Sequence, residues 1–274
     1  MWTHVWFHVC ICHRWLVYSC RRNAVIVSAC RGKLTEQAPK RALGPLSDVF
    51  VPQKWFAHFY VVGCVCNGMV LIWVYRATFS PDAPLDTLGA CMPICCFEVH
   101  LIRRLLETTL MMKYPKEARM HAVAYLFGLT YYVVVPLTYM TSPDALHLTY
   151  SPSTYVGVFV FVIGNAIQWH SHYILSRLST QGRGRYIIPR DGLFNLVSCP
   201  HYFGEIVIYL GLAIMHMQGP LRAWYPLVWV IVNLALAARM THQWYVSHFK
   251  TYPRQRKMLI PYMYWDMWYA STRS

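Results

Sequence analysis

Residues 55–75 read WFAHFYVVGCVCNGMVLIWVY, a run whose one acidic or basic side chain is His58. About 20 consecutive apolar residues are needed to cross a bilayer as a helix. This run has that length, and it is apolar on every side rather than on one stripe. A helix of that kind is buried all round or bathed in lipid. Residues 55–76 therefore read as a membrane span.

Working outward, comparable stretches lie near 4–30, 91–112, 119–140, 153–175, 201–217 and 223–247. Arg14, Arg21 and Arg22 interrupt the first, and the sixth is short and follows Pro200. The loops test the count. Loop 21–54 holds Arg21, Arg22, Arg31, Lys33, Lys40, Arg41 and Lys54, whereas loop 77–90 has no Lys or Arg. Loop 113–119 holds Lys113, Lys116 and Arg119, and loop 141–152 again has none. Loop 177–200 carries four arginines, loop 218–222 only Arg222, and the tail is basic. Positive charge is retained on the cytosolic side. The alternation predicts an all-α integral membrane protein, a bundle of seven transmembrane helices with the N-terminus lumenal and the C-terminus cytosolic. Residues 1–54 read as a first span and a basic cytosolic loop, and 55–274 as the core.

Composition agrees. Hydrophobic residues make up 56% of the chain and charged residues 13%, against about 25% charged in soluble domains. The net charge is +14, but the apolar content argues against a nucleic-acid partner. The Lys and Arg suit anionic headgroups or an anionic ligand. Cys10/Cys12 and Cys64/Cys66 form C-x-C pairs, and Cys91, Cys95 and Cys96 cluster. No C-x-x-C pair recurs at zinc spacing, so no metal is expected. His4, His8, His13 and Arg14 break the N-terminal run, which does not read as a cleaved signal peptide.

Ionisable side chains within spans are costly and mark function by default. Here they are His58, Glu98, His100, Arg103, Arg104, Glu107, His170, His172, Glu205, Arg239 and His242. Glu107 lies three residues after Arg104 and four after Arg103, in reach of both on one helix face. Most of these residues fall in the cytosolic halves of their spans. They predict a polar, partly positive pocket at that end, suited to the phosphates of a nucleotide. Segment 198–205, SCPHYFGE, opens the sixth span. Pro200 suits the first helical turn, with Ser198 or Cys199 at the N-cap. The exposed N–H groups there favour an anion. No G-x-G-x-x-G or P-loop is present.

These motifs carry a family resemblance. IPRDGLFNLVSCPHYFGEIVIY (188–209) and YPRQRKMLIP (252–261) resemble the C-terminal signatures of the steroid 5α-reductase family. VPQKWFAHFYVVGCVCNG (51–68), VHLIRRLLE (99–107) and FGLTYYVVVPLT (127–138) are most similar to its polyprenol reductase, dolichol-forming branch. The resemblance covers about residues 50–264, and it implies a C-terminal steroid-reductase-like region at about 120–274 within the core. It implies a seven-helix enzyme of the endoplasmic reticulum membrane that takes NADPH and reduces a carbon–carbon double bond next to a carbonyl. Its substrate would be a long-chain polyisoprenoid, in dolichol synthesis for protein N-glycosylation. By position, Arg104, His172, His201, Glu205, Tyr245 and Arg256 match cofactor-side residues, and His242 is a further candidate on span seven. His58 lies near the position of a catalytic glutamate of the steroid branch. Leu101 stands where that branch has tyrosine, Ser179 where the family often has a cofactor-binding arginine, and His201 where asparagine is common.

Hydride adds readily to the β-carbon of an enal, where charge delocalises onto oxygen, and not to an isolated alkene. Polyprenal is thus expected as the direct substrate, with a donor needed at the enolate oxygen. His58 is expected as that donor, with Tyr60 in reserve. The alternatives are a steroid 5α-reductase acting on 3-oxo-Δ4 steroids, an isoprenylcysteine-type membrane methyltransferase, and a catalytically inactive scaffold.

Overall fold

The computed structural model describes residues 48–78, 88–140, 151–182, 186–217 and 221–262. Helix α1 runs Phe56–Thr78, α2 Leu88–Leu106, α3 Ala122–Tyr139, α4 Pro152–Gln181, α5 Pro200–Met215 and α6 Tyr225–His248. Each coincides with one of the six later apolar stretches. The first stretch, 4–30, lies outside the described residues. Gln53–Arg76, Ala122–Tyr139 and Leu221–His248 are long and apolar enough to cross a membrane, and α5 is a shorter apolar helix. Helices α2 and α4 have the length, but their apolar character is diluted by the polar residues that build the site described below. The protein is a helical membrane protein.

The all-α expectation needs one amendment. Strands β1 (Phe50–Pro52) and β2 (Arg119–His121) pair antiparallel, with Val51 opposite Met120. This small sheet ties the entrances of α1 and α3 together at one end. His121 then caps α3 by accepting from the Val123 amide at 3.2 Å.

Helices α4 and α5 form the tightest seam. Gly157 and Gly164 on α4 face Gly211 and Gly204 on α5, seven residues apart on each helix. A methyl on Gly164 would lie 2.6 Å from the Ile208 nitrogen, and one on Gly211 would lie 2.6 Å from the Phe161 nitrogen. In lipid, helix association depends on such close backbone approach, because there is little hydrophobic drive between apolar helices. Gly204 has the same role lower down, where a methyl would meet the Gln168 nitrogen at 2.8 Å. That contact fixes the height of Gln168 against α5.

Two further features position the site. Helix α2 ends in a π-turn, Glu107–Met111, whose Met112 amide reaches back to the Glu107 carbonyl at 2.8 Å. The wider turn buries Glu107 and Thr108. Beyond α4, the chain folds back onto the bundle, burying Phe194, Val197, Ser198 and Cys199. Asp191 (φ 79°) and Gly192 (φ 52°) make that turn with left-handed backbone, a conformation costly for a non-glycine residue.

Candidate active site

Four helices meet in one buried polar network near the last turn of α2. Arg104 is its centre. Its guanidinium donates to the Tyr60 hydroxyl on α1 at 2.7 Å and to Glu107 at 2.6 Å, and lies 2.9 Å from His172 Nδ1 on α4. His172 Nδ1 is also 2.7 Å from Glu107 Oε2. One ring nitrogen cannot both accept from arginine and donate to carboxylate. Glu107 already takes charge from two arginines, so its tie to His172 is a donation from Nδ1–H.

Arg103 extends the network sideways. It donates to Glu107, to Asn165 Oδ1 at 2.8 Å and to Gln168 Oε1 on α4. Gln168 passes the chain on, donating from Nε2 to Glu205 on α5. Glu205 in turn lies 3.4 Å from His100 Nε2. His100, Gln168, His172 and Glu107 are all buried. Buried charges persist only when paired and hydrogen-bonded. Two arginines and two glutamates share this network, so their formal charges balance.

The network does not use up every donor. Arg104 Nε is buried without a hydrogen-bond partner, and His100 Nε2 has only its 3.4 Å contact with Glu205. Unsatisfied buried polar atoms are rare and call for a partner. Arg104 Nε–H is a donor, and because His100 Nδ1 accepts from Arg103 at 3.2 Å, His100 Nε2 carries the ring proton, so both suit a bound group that offers an acceptor, such as a carboxamide oxygen.

A second cluster lies on the other side of the first turn of α5. Ser198 Oγ is 2.6 Å from His242 Nδ1 on α6 and 2.6 Å from the Tyr252 hydroxyl. The chain after α6 pairs alongside, with the Ser198 amide donating to Lys257 O at 2.9 Å and the Lys257 amide to Leu196 O at 2.8 Å. Tyr245 stacks on Tyr252 at 5.2 Å between ring centroids, and the Arg256 guanidinium sits 5.4 Å from the Tyr252 ring. Burial pushes the Tyr252 phenol above its ordinary value, keeping it a neutral hydrogen-bonding group. Arg256 is buried, donates to Pro189 O at 2.8 Å, and leaves its Nε without a partner. Cys199, not Ser198, is the N-cap of α5, and no side chain caps that helix.

The expected site residues thus fall into two groups. Tyr60, Arg104, His172 and Glu205 share the inner network. His242, Tyr245 and Arg256 share the outer cluster. His201 lies between, its ring 5.7 Å from His172 and 4.0 Å from Tyr202. His58 is placed elsewhere. It is exposed, two residues or about 200° around α1 from Tyr60. Its Nδ1 is 2.8 Å from the Tyr125 hydroxyl, and its ring packs 5.4 Å from Trp55. Leu101 is fully buried, and a methyl on Gly63 would lie 2.9 Å from it. Among the described residues no group of three or more His, Cys, Asp or Glu is placed to hold a metal.

Residues passed over by a search for charge include Asn165 and Gln168. Both are neutral amides, yet each accepts from Arg103. The signal was their spacing with His172 at positions 0, 3 and 7 of one helix face in an otherwise apolar span. Asn67 is likewise fully buried and donates to Ile94 O at 3.0 Å and to Glu98 at 2.8 Å.

Comparison with known proteins bears on both groups. The family described as 3-oxo-5-alpha-steroid 4-dehydrogenase matches residues 107–264, a segment that begins at Glu107 and holds the whole outer cluster. Polyprenal reductase 1 of Arabidopsis thaliana is 32% identical over 292 aligned residues, covering 89% of this chain and 88% of the relative. Polyprenal reductase of Danio rerio is 32% identical, with 84% of each chain covered. Polyprenal reductase 1 of Oryza sativa subsp. indica is 29% identical, with 88% of each covered. These matches extend well beyond the C-terminal signature, and they replace the methyltransferase and scaffold readings: the chain belongs to the 3-oxo-5-alpha-steroid 4-dehydrogenase, or steroid 5α-reductase, family of membrane oxidoreductases.

Proposed function

We propose that this protein is an NADPH-dependent polyprenal reductase of the endoplasmic reticulum membrane. It saturates the α-isoprene double bond of a long-chain polyprenal on the route to dolichol. The observation that carries the reading is the bond from Arg104 to the Tyr60 hydroxyl inside a neutral buried network, in a chain whose full-length relatives are polyprenal reductases. The charge alternation of the loops supports seven spans, with residues 1–54 as the first span and basic loop, a lumenal N-terminus and a cytosolic C-terminus. In that orientation both clusters open toward cytosolic cofactor.

The residues present fit the cofactor. Glu205, Gln168 and the free N–H of Arg104 suit the neutral carboxamide of a nicotinamide. Arg256, His201 and the uncapped first turn of α5 suit phosphate, since a helix N-terminus and a guanidinium both favour anions. Tyr245 and His242 brace that end through Tyr252 and Ser198. When bound, the cofactor supplies a hydride.

Tyr60 is the best-placed donor for the enolate oxygen. Its hydroxyl accepts from Arg104, an interaction that leaves the Tyr60 proton available for donation to a ligand oxygen. A donor aimed at charge that develops only in the transition state accelerates the step rather than tightening binding. His58 is assigned a smaller role, holding Tyr125 at the entrance of α1 and α3. Buried Leu101 favours the polyprenal substrate over a steroid enone, because an aliphatic side chain fills the place of the steroid branch's tyrosine. Incubating the membrane-embedded protein with NADPH and either long-chain polyprenal or a 3-oxo-Δ4 steroid separates the two. Product from polyprenal alone supports the proposal, and product from the steroid alone overturns it.

A further inference from the structure

A cavity of about 410 Å³ lies on the outer flank of the bundle between α2 and α4, lined by Val99, Ile102, Arg103, Leu106, Glu107 and Trp169. On α2 these positions fall at spacings of three and four, one continuous stripe. Val99, Ile102, Leu106 and Trp169 are exposed, so the walls are apolar and open sideways. Trp169 forms the α4 side of the cavity. It stacks on Tyr173 at 6.0 Å, and Arg177 lies 5.7 Å from the Tyr173 ring.

The charges at the inner end distinguish between occupants. Arg103 and Glu107 neutralise each other there. A phosphate-headed lipid would meet no uncompensated positive charge. An uncharged chain meets apolar walls along its length. The volume lies in the range of pockets that hold a small ligand, which is too little for a long polyprenyl chain and enough for a few of its units. The remainder must leave sideways into lipid.

Resting on the polyprenal reading, we infer that the α2–α4 groove seats the isoprene units beyond the reacting one and leads the rest of the chain into the bilayer. It selects an uncharged polyisoprenoid. The groove borders the reaction network at Glu107, which lines it and bonds both Arg103 beside it and Arg104 inside.

The test compares Ile102→Trp with the wild-type full chain in membranes, using NADPH and two substrates: a long-chain polyprenal and a short prenal too short to reach the groove. The inference predicts that kcat/KM for the long substrate falls at least about tenfold, the scale on which methylene-sized changes in an apolar pocket are felt. The short prenal should be reduced at the wild-type rate, which also reports an intact fold. A parallel fall for both substrates, or no change for either, overturns the groove while the polyprenal reading stands. The parallel fall is also expected if residues 4–30 of this chain cover the groove. If the wild type reduces neither aldehyde, the polyprenal reading fails and the groove's assignment falls with it.

Discussion

The inner network and the outer cluster flank the same first turn of α5, yet they are built on opposite electrostatic principles. The inner one pairs Arg103 and Arg104 against Glu107 and Glu205 and is neutral as a unit. The outer one has no carboxylate among Ser198, His242, Tyr245, Tyr252 and Arg256, and its guanidinium is held by a carbonyl and an aromatic face. A neutral network can orient an uncharged reacting group without attracting anions into the membrane. A carboxylate-free cluster at the helix N-terminus retains positive potential for phosphate. On the proposed assignment, with chemistry at the inner network and cofactor phosphate at the outer cluster, binding strength and chemistry are separable by mutation.

Arg104→Ala should have the largest effect. It removes one of the two arginines that hold Glu107 and the donor to Tyr60, and breaking a buried pair costs about 3–5 kcal/mol. Turnover should fall at least about 100-fold, read as NADPH oxidation with polyprenal. Arg104→Lys should not rescue it, because an ammonium cannot reproduce a planar fork that reaches two helices. Gly164→Ala comes next and breaks both regions together, since both rest on the α4–α5 seam. Forcing a methyl against the Ile208 backbone should cost about 1–3 kcal/mol, seen as earlier thermal unfolding in detergent. The ratio of turnover to cofactor affinity in the surviving enzyme should stay unchanged. Arg256→Ala should be milder and one-sided. NADPH affinity should weaken about tenfold, the scale of a charge-assisted hydrogen bond, while kcat holds. A fall in kcat at unchanged affinity would move Arg256 from the cofactor to the chemistry.

Much of this organisation was legible in the sequence. Six helices lie where apolar runs were long enough, because a bilayer span must satisfy its own backbone within one segment. The Arg104–Glu107 pairing followed from helical spacing. Other features were not visible for physical reasons. Helix α1 is apolar on all sides, so periodicity could not tell which of His58 and Tyr60 faces the interior. The assignment of His242, Tyr245 and Arg256 to a separate cluster depends on the pairing of Leu196 and Ser198 with Lys257, a long-range contact that local pattern does not encode. Asn165 and Gln168 escaped a search keyed to charge. The glycine seam did leave a mark, the seven-residue spacing of 157/164 and 204/211, which becomes informative only once the two helices are known to be neighbours.

The central claim is that the reaction takes place at the inner network, with Tyr60 as donor. Its most direct test is the single-turnover rate of NADPH oxidation with saturating polyprenal in Tyr60→Phe beside His58→Ala. Removing one preorganised donor typically costs about 100-fold or more in rate. Such a fall is expected for Tyr60→Phe at unchanged NADPH affinity, with His58→Ala within about threefold of wild type. Full activity in Tyr60→Phe together with collapse in His58→Ala would contradict it and move the reaction to the other face of α1.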